Sequence, residues 1–173
     1  MIALAEEIVE LDFFSKILDK QATDLYKESP FLPLKNLSSS SKGANLEKLV
    51  TELLLQKGYT VTSRSNKGHD RVINGKKVEI KGSLLWGTGT HFRWQQIRTG
   101  QDYDILCCVA VYPDKVELYA ASKEDCKKYL EVQNEKGEWL YNQHGGKKTN
   151  SGAFWMNGFP QDFPWLKDIE DLL

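Results

Sequence analysis

Three residues near the middle of the chain have the types and the spacing to do chemistry together: Asp70, Glu79 and Lys81. They lie within His69–Ser83, which reads His-Asp-Arg-Val-Ile-Asn-Gly-Lys-Lys-Val-Glu-Ile-Lys-Gly-Ser. Asn74-Gly75 predicts a two-residue type I′ hairpin, because both central positions of that turn need positive φ and these two residues tolerate it. The turn sets a register in which Ile73 faces Lys76, Val72 faces Lys77, Arg71 faces Val78 and Asp70 faces Glu79. Opposed residues of an antiparallel pair share a face, with Cβ atoms roughly 4.5–5.5 Å apart. Lys81, two residues beyond Glu79, returns to that face. Two carboxylates so close repel one another and raise one pKa unless a cation lies between them. A hard divalent ion suits this set, since Mg²⁺ takes one or two protein carboxylates and fills its other positions with water and phosphate oxygens. A neighbouring lysine can hold a water or offset the charge that develops on a phosphorane. The chemistry implied is metal-dependent phosphodiester hydrolysis, with Mg²⁺, or Mn²⁺ in its place, as the cofactor.

Asp70 followed by Glu79-Ile80-Lys81 resembles the Asp…(Asp/Glu)-x-Lys signature of the PD-(D/E)XK nucleases, the restriction-endonuclease-like superfamily. The family usually has a proline before the aspartate, where this chain has His69. The resemblance implies a mixed central β-sheet flanked by helices on both faces, an α/β fold. It also implies that Asp70, Glu79 and the backbone carbonyl of Ile80 hold the metal while Lys81 orients the attacking water. A glutamate on the helix preceding the core strands often adds an acidic ligand in this family, and Glu47 is the matching position.

Elements that would position these groups can be read on either side. Ile2 to Leu18 has apolar residues at helical spacing and predicts an amphipathic helix that closes the core or docks on a second subunit. Gln21 to Ser41, with Pro30, Pro33 and a serine run, reads as a connection. Leu46, Leu49, Val50, Leu53 and Leu54 form the stripe of a helix that begins near Gly43 or Asn45 and ends at Lys57-Gly58. Glu47 falls about 100° around that helix from Leu46, at the margin of the stripe, whereas Glu52 points away from it. Tyr59 to Arg64 alternates as a strand. Gly82 to Gly89 reads as a loop, and His91 to Arg98 as a helix with one apolar side. The resemblance places that segment near substrate, so Arg93, Gln95, Gln96 and Arg98 are candidate DNA contacts. Asp104 to Tyr112 is the continuous apolar run of a strand buried on both faces. Val116, Leu118 and Ala120 mark a further strand, and Ser122 with Asp125 resembles a capping box that opens a helix to about Leu130.

Beyond Val132 glycines break every long element and hydrogen-bonding side chains accumulate. Gln143, His144, Lys147, Lys148 and Asn150 form the expected recognition loop, since amide side chains suit adenine edges and lysine suits guanine or phosphate. Trp165 to Leu172 reads as a short terminal helix. The organisation expected is a single domain over 1–173. Residues 43–130 form its core, 1–42 an N-terminal helix and connection, and 131–173 a C-terminal loop region for substrate recognition.

The chain has 173 residues, with 23 Lys and Arg against 24 Asp and Glu, a net charge of −1. So even a balance offers no bulk attraction to nucleic acid, and DNA binding must come from local patches. Cys107, Cys108 and Cys126 have no metal-ligand spacing and read as buried small hydrophobes of a reducing compartment. No apolar run approaches the ~18 residues of a membrane span, and no leader is visible, so the expectation is a cytoplasmic protein. The reading is a Mg²⁺-dependent endonuclease acting on double-stranded DNA, within that class a sequence-specific type II restriction enzyme working as a homodimer. Arg64-Ser65-Asn66-Lys67-Gly68 resembles a loop of Holliday-junction resolvases, so a structure-selective nuclease is the alternative. A non-catalytic DNA-binding domain is the alternative from another class.

Overall fold

A computed structural model describes residues 24–86, 89–142 and 152–173. The helix expected over Ile2–Leu18 and the loop residues Gln143, His144, Lys147, Lys148 and Asn150 lie outside the described residues. The fold is α/β. A six-stranded mixed sheet has the order β1-β2-β3-β5-β6-β8, and a separate two-stranded antiparallel ribbon pairs β4 with β7. The strands are β1 (Val61–Ser63), β2 (Arg71–Ile73), β3 (Lys76–Leu84), β4 (Phe92–Ile97), β5 (Ile105–Val111), β6 (Val116–Ser122), β7 (Phe154–Gly158) and β8 (Lys167–Asp168). Among the described residues three helices accompany them: α1 (Leu32–Lys35), α2 (Ser39–Gln56) and α3 (Lys123–Leu130).

The β2–β3 turn forms as the sequence predicts. Asn74 has φ 47° and Gly75 φ 83°, and the pairs are Ile73↔Lys76, Val72↔Lys77 and Arg71↔Val78. β3 then runs parallel to β5 over seven pairs from Val78↔Ile105 to Leu84↔Val111. The only residues of β5 are apolar and all are buried, as a strand covered on both faces requires. Its side chains divide by alternation: Ile105, Cys107, Val109 and Val111 join the core under α2, while Leu106, Cys108 and Ala110 join the core under the ribbon. Tyr26 stitches the far ends of these strands, donating its hydroxyl to the Val111 carbonyl at 2.5 Å and accepting from the Leu85 amide at 2.8 Å.

Four local expectations are corrected. α2 begins at Ser39, a turn before Gly43, because Ser38 caps it and accepts from the Ser41 amide at 3.3 Å; serines read as linker are also preferred N-caps. Gly82 to Leu84 is strand and not loop. The glycine stands where α2 crosses β3, and a Cβ there would overlap Leu46. His91 to Arg98 is not helical: Phe92–Ile97 is β4, whose Phe92, Trp94 and Ile97 are buried. The second face of the sheet is therefore covered chiefly by the β4–β7 ribbon where a flanking helix was expected, with α3 adding Cys126 and Leu130. Finally, the region after Val132 is not all loop. It supplies β7 and β8, and in place of a terminal helix β8 pairs with β6 and is followed by a 3-10 turn over Ile169–Asp171.

Ser122 caps α3, but the carboxylate of Asp125 meets the Ser122 hydroxyl and not its backbone amide, so the full capping box is not formed. Ser122 accepts from the Asp125 amide at 3.0 Å and donates to its carboxylate at 2.8 Å. All three cysteines are free and buried, and burial pushes each thiol up, Cys107 and Cys126 to about 12.

The contact at Gly82 gives a stability test. Gly82→Ala forces Leu46 to shift and should cost about 1–3 kcal/mol, the range for overpacking. Urea unfolding of the single variants and of Gly82→Ala/Leu46→Ala should show the double variant losing less than the sum of the two single losses.

Candidate active site

The end of the β2–β3 hairpin carries the groups picked out from the sequence, in a geometry slightly different from a continued ladder. Pairing stops at Arg71↔Val78. The Asp70 amide turns back to the Val78 carbonyl at 3.0 Å, and Asp70 Oδ2 accepts the Ile80 amide at 2.8 Å. Asp70 is thus fastened to β3 by its side chain where the next backbone rung would have been. One carboxylate oxygen is committed, and Oδ1 is left available.

The segment before Asp70 is anchored by contacts to Asp102, itself held by Lys77, and the sequence assigned neither residue a role. His69 is 1% exposed. Its Nε2 accepts from the Ser65 amide at 3.2 Å, which leaves Nδ1 as the protonated nitrogen, donating to the Asp102 carbonyl at 3.1 Å. Gly68 lies against Asp102 so tightly that a Cβ would come within 2.7 Å of Asp102 Cβ and 2.8 Å of its amide nitrogen. Asn66 donates to the Asp102 carboxylate at 2.7 Å, and Lys77 does so at 2.9 Å. Lys77 first, then Asn66, hold the Asp102 carboxyl below its usual value. The Arg64–Gly68 loop that resembles a resolvase loop is thereby used to place Asp70. Only the glycine and the asparagine at a turn gave any signal of this in the sequence.

Glu79 and Lys81 share the face of β3 opposite α2, since Val78 and Ile80 occupy the α2 core. Lys81 Nζ lies 2.6 Å from Glu79 Oε1, with the Glu79 side chain 6% exposed. Burial raises the Glu79 carboxyl above its usual value; Lys81 opposes the shift, and the charges of Asp70 and Glu47 add to it. Glu47 reaches the same edge from α2 and pairs with Arg71 at 3.2 Å. Its carboxyl is also raised, by burial and then by Asp70, with Arg71 and Arg64 opposing. Arg71 donates as well to Thr51 Oγ1 at 3.0 Å and to the Asp70 carbonyl at 2.7 Å. Asp70, Glu79, Lys81 and Glu47 are therefore brought to one edge. Tyr103, another residue missed from the sequence, is buried nearby, and burial, then Cys126 and the Glu79 charge, push its phenol well above the usual value.

An open groove of about 590 Å³ lies between α2 and β1 beside this edge, with Glu47 and Thr51 on one wall, Val61–Ser63 on the other, and Arg64 and Arg71 at its end. Arg93, Gln95 and Gln96 are on β4 and Arg98 just after it; Gln95, Gln96 and Arg98 are exposed.

Among the described residues no three His, Cys, Asp or Glu side chains are grouped so as to hold a metal by themselves. A divalent ion still fits the donor set as a two-carboxylate site. Asp70 and Glu79 are hard oxygen donors, their charges interact unfavourably, and Glu47 is engaged by Arg71. No protein-family model matches the sequence, and no curated protein does. Part of the chain is similar in structure to a bacterial homing endonuclease, at 17% identity over 51% of this chain and 68% of that one, with a TM-score of 0.38. That likeness is too slight to assign either fold or activity.

The raised Glu79 carboxyl gives a pH prediction. Its folded pKa lies above the ordinary 4.5, so the folded state binds more protons and stability is lost as pH rises from 4.5 through the folded value. In metal-free protein Glu79→Gln should gain stability relative to the parent across that interval and lose the advantage in acid. Parallel melts from acid to neutral pH check this; a difference that is flat with pH contradicts it.

Proposed function

We propose that the chain is a metal-dependent endodeoxyribonuclease that hydrolyses phosphodiester bonds in double-stranded DNA. Within that class it is a sequence-specific type II restriction endonuclease working as a homodimer. One observation carries the reading: the carboxylates of Asp70 and Glu79 interact where β2 leaves β3, with the Lys81 ammonium 2.6 Å from Glu79. Such a set is costly as a structural device, since burial and repulsion disfavour its charges, and perturbed carboxyls cluster where catalysis needs them.

Asp70 through Oδ1, Glu79 and the carbonyl of Ile80 would hold Mg²⁺, or Mn²⁺ in its place, and the bound ion would polarise the phosphodiester and acidify a water at neutral pH. Lys81 holds the attacking water by hydrogen bond and offsets the negative charge that grows on the phosphoryl oxygens. Glu47, the further acidic group, adds negative charge beside the pair. Arg64 and Arg71, with the hydroxyls of Thr51, Thr62 and Ser63, line a groove suited to the anionic strand leading into the site. One centre cuts one strand, so a double-strand break calls for two copies of the chain.

Digestion of a long natural duplex with Mg²⁺ tests the reading. Discrete fragments are expected; a smear would remove sequence specificity. Preferential cutting of a four-way junction would make the enzyme structure-selective, and intact DNA throughout would favour a non-catalytic DNA-binding domain. Asp70→Ala and Glu79→Ala should each abolish cleavage and, by calorimetry, Mg²⁺ binding, while parental cleavage rates in either would refute the assignment. Lys81→Ala should lower kcat far more than DNA affinity, because its contact belongs to the transition state.

A further inference from the structure

The β4–β7 ribbon divides its residues sharply. Phe92, Trp94, Ile97, Phe154 and Met156 face the core, at 0–6% exposure. Arg93 pairs with Asn157 across the ribbon. A register shift between Trp94 and Ile97, with Gln96 at φ 56°, lets Ile97 return to the core while Gln95 and Gln96 are both exposed. Bulges of this kind re-aim side chains. The surface of the ribbon thus offers an arginine, two glutamines and an asparagine, and neither strand has an acidic residue.

Arg93 is also held in place. Its guanidinium lies 5.1 Å from the Trp86 ring centroid and 5.2 Å from that of Trp155, and its Nε donates to Asn157 Oδ1 at 3.3 Å. The ribbon is fixed to the sheet beneath. The Arg93 amide donates to Ser83 Oγ at 2.8 Å, and Trp94 Nε1 donates to the Val109 carbonyl at 3.0 Å. Ser83 follows Lys81 by two residues on the same face of β3, so the ribbon and the candidate active site are mounted on one strand.

We propose that this ribbon enters the major groove of duplex DNA and reads base edges, Arg93 at a guanine and Asn157 and Gln95 at adenines. A two-stranded ribbon fits the major groove, arginine forks onto guanine O6 and N7, and amide side chains fork onto adenine N6 and N7. The absence of acidic side chains from the ribbon, in a chain of net charge −1, suits the groove's negative potential. The partner follows from the proposed nuclease function, whereas the reading surface stands on the ribbon's own chemistry.

Selection from a randomised duplex library in EDTA tests the proposal without cleavage. The parent should enrich a motif. Arg93→Lys keeps the charge and loses the fork, so its ratio of cognate to random-duplex affinity should fall about 5- to 150-fold, with preference lost at one G·C position. Asn157→Ala, at an exposed site, should relax an A·T position by a similar factor, and near-UV circular dichroism should match the parent in both. An unchanged motif in both variants overturns the proposal, as does a uniform loss on all duplexes with a shallower salt slope, the mark of phosphate contact. A parent that enriches nothing also overturns it. Metal-dependent cleavage by that same parent would leave the nuclease reading standing, and a ribbon-dependent motif without cleavage would leave only the ribbon proposal standing.

Discussion

A strand has two faces, and β3 must spend one on the core and the other on chemistry. Val78, Ile80 and Leu84 pack beneath α2, while Glu79, Lys81 and Ser83 point to the side covered by the ribbon. The period of two makes this division unforgiving: a slip of one residue would send Glu79 and Lys81 under α2 and lift Val78 and Ile80 out of it. Two features guard the register. The Asn74-Gly75 turn sets it from one end, and seven parallel pairs with a wholly buried β5 hold it along its length. Gly82 lets Leu46 close on the strand from the α2 side, so the helix that carries Glu47 is drawn to the same edge.

Electrostatics at that edge then follow from where the charges had to go. Asp70 is fastened by the Ile80 amide and by the His69 and Gly68 contacts behind it, so it cannot retreat from Glu79. Glu79 is nearly buried, and its partner Lys81 offsets only part of the penalty, leaving the carboxyl raised. Glu47 is relieved by Arg71, which also binds Thr51 and the Asp70 carbonyl and so links α2 to the hairpin. Fold and site use the same bonds.

What the sequence made legible was whatever a local rule determines. The type I′ turn, the α2 stripe, the unbroken apolar run of β5 and the Ser122 cap each depend on residues close in the chain, and each is present in the structure. The convergence of Asp70, Glu79, Lys81 and Glu47 followed from those rules with one adjustment, because the ladder ends a rung early and the Asp70 side chain replaces it. His69, Tyr103 and Asp102 were not legible: their importance comes from contacts distant in the chain, such as His69 with Asp102 at 33 residues and Lys77 with Asp102 at 25, or from burial, neither of which leaves a local pattern. Gly82 was misread because a glycine needed for close packing looks like one needed for a turn.

β4 was misread for a related reason. Trp94 and Ile97 stand at the i, i+3 spacing of a helix, whereas Phe92 and Trp94 alternate as in a strand, and Ile97 joins them only if the strand carries an extra residue after Trp94. Only pairing with β7, more than fifty residues later, decides between the two, and that pairing is possible because the bulge restores Ile97 to the core opposite Phe154. The difference alters what the segment can do. A helix there would have spread Arg93, Gln95 and Gln96 around its circumference, whereas the ribbon sets Arg93 beside Asn157 and fastens both above Ser83. Rigid attachment to β3 means that any register error in that strand would displace the ribbon and the carboxylates together.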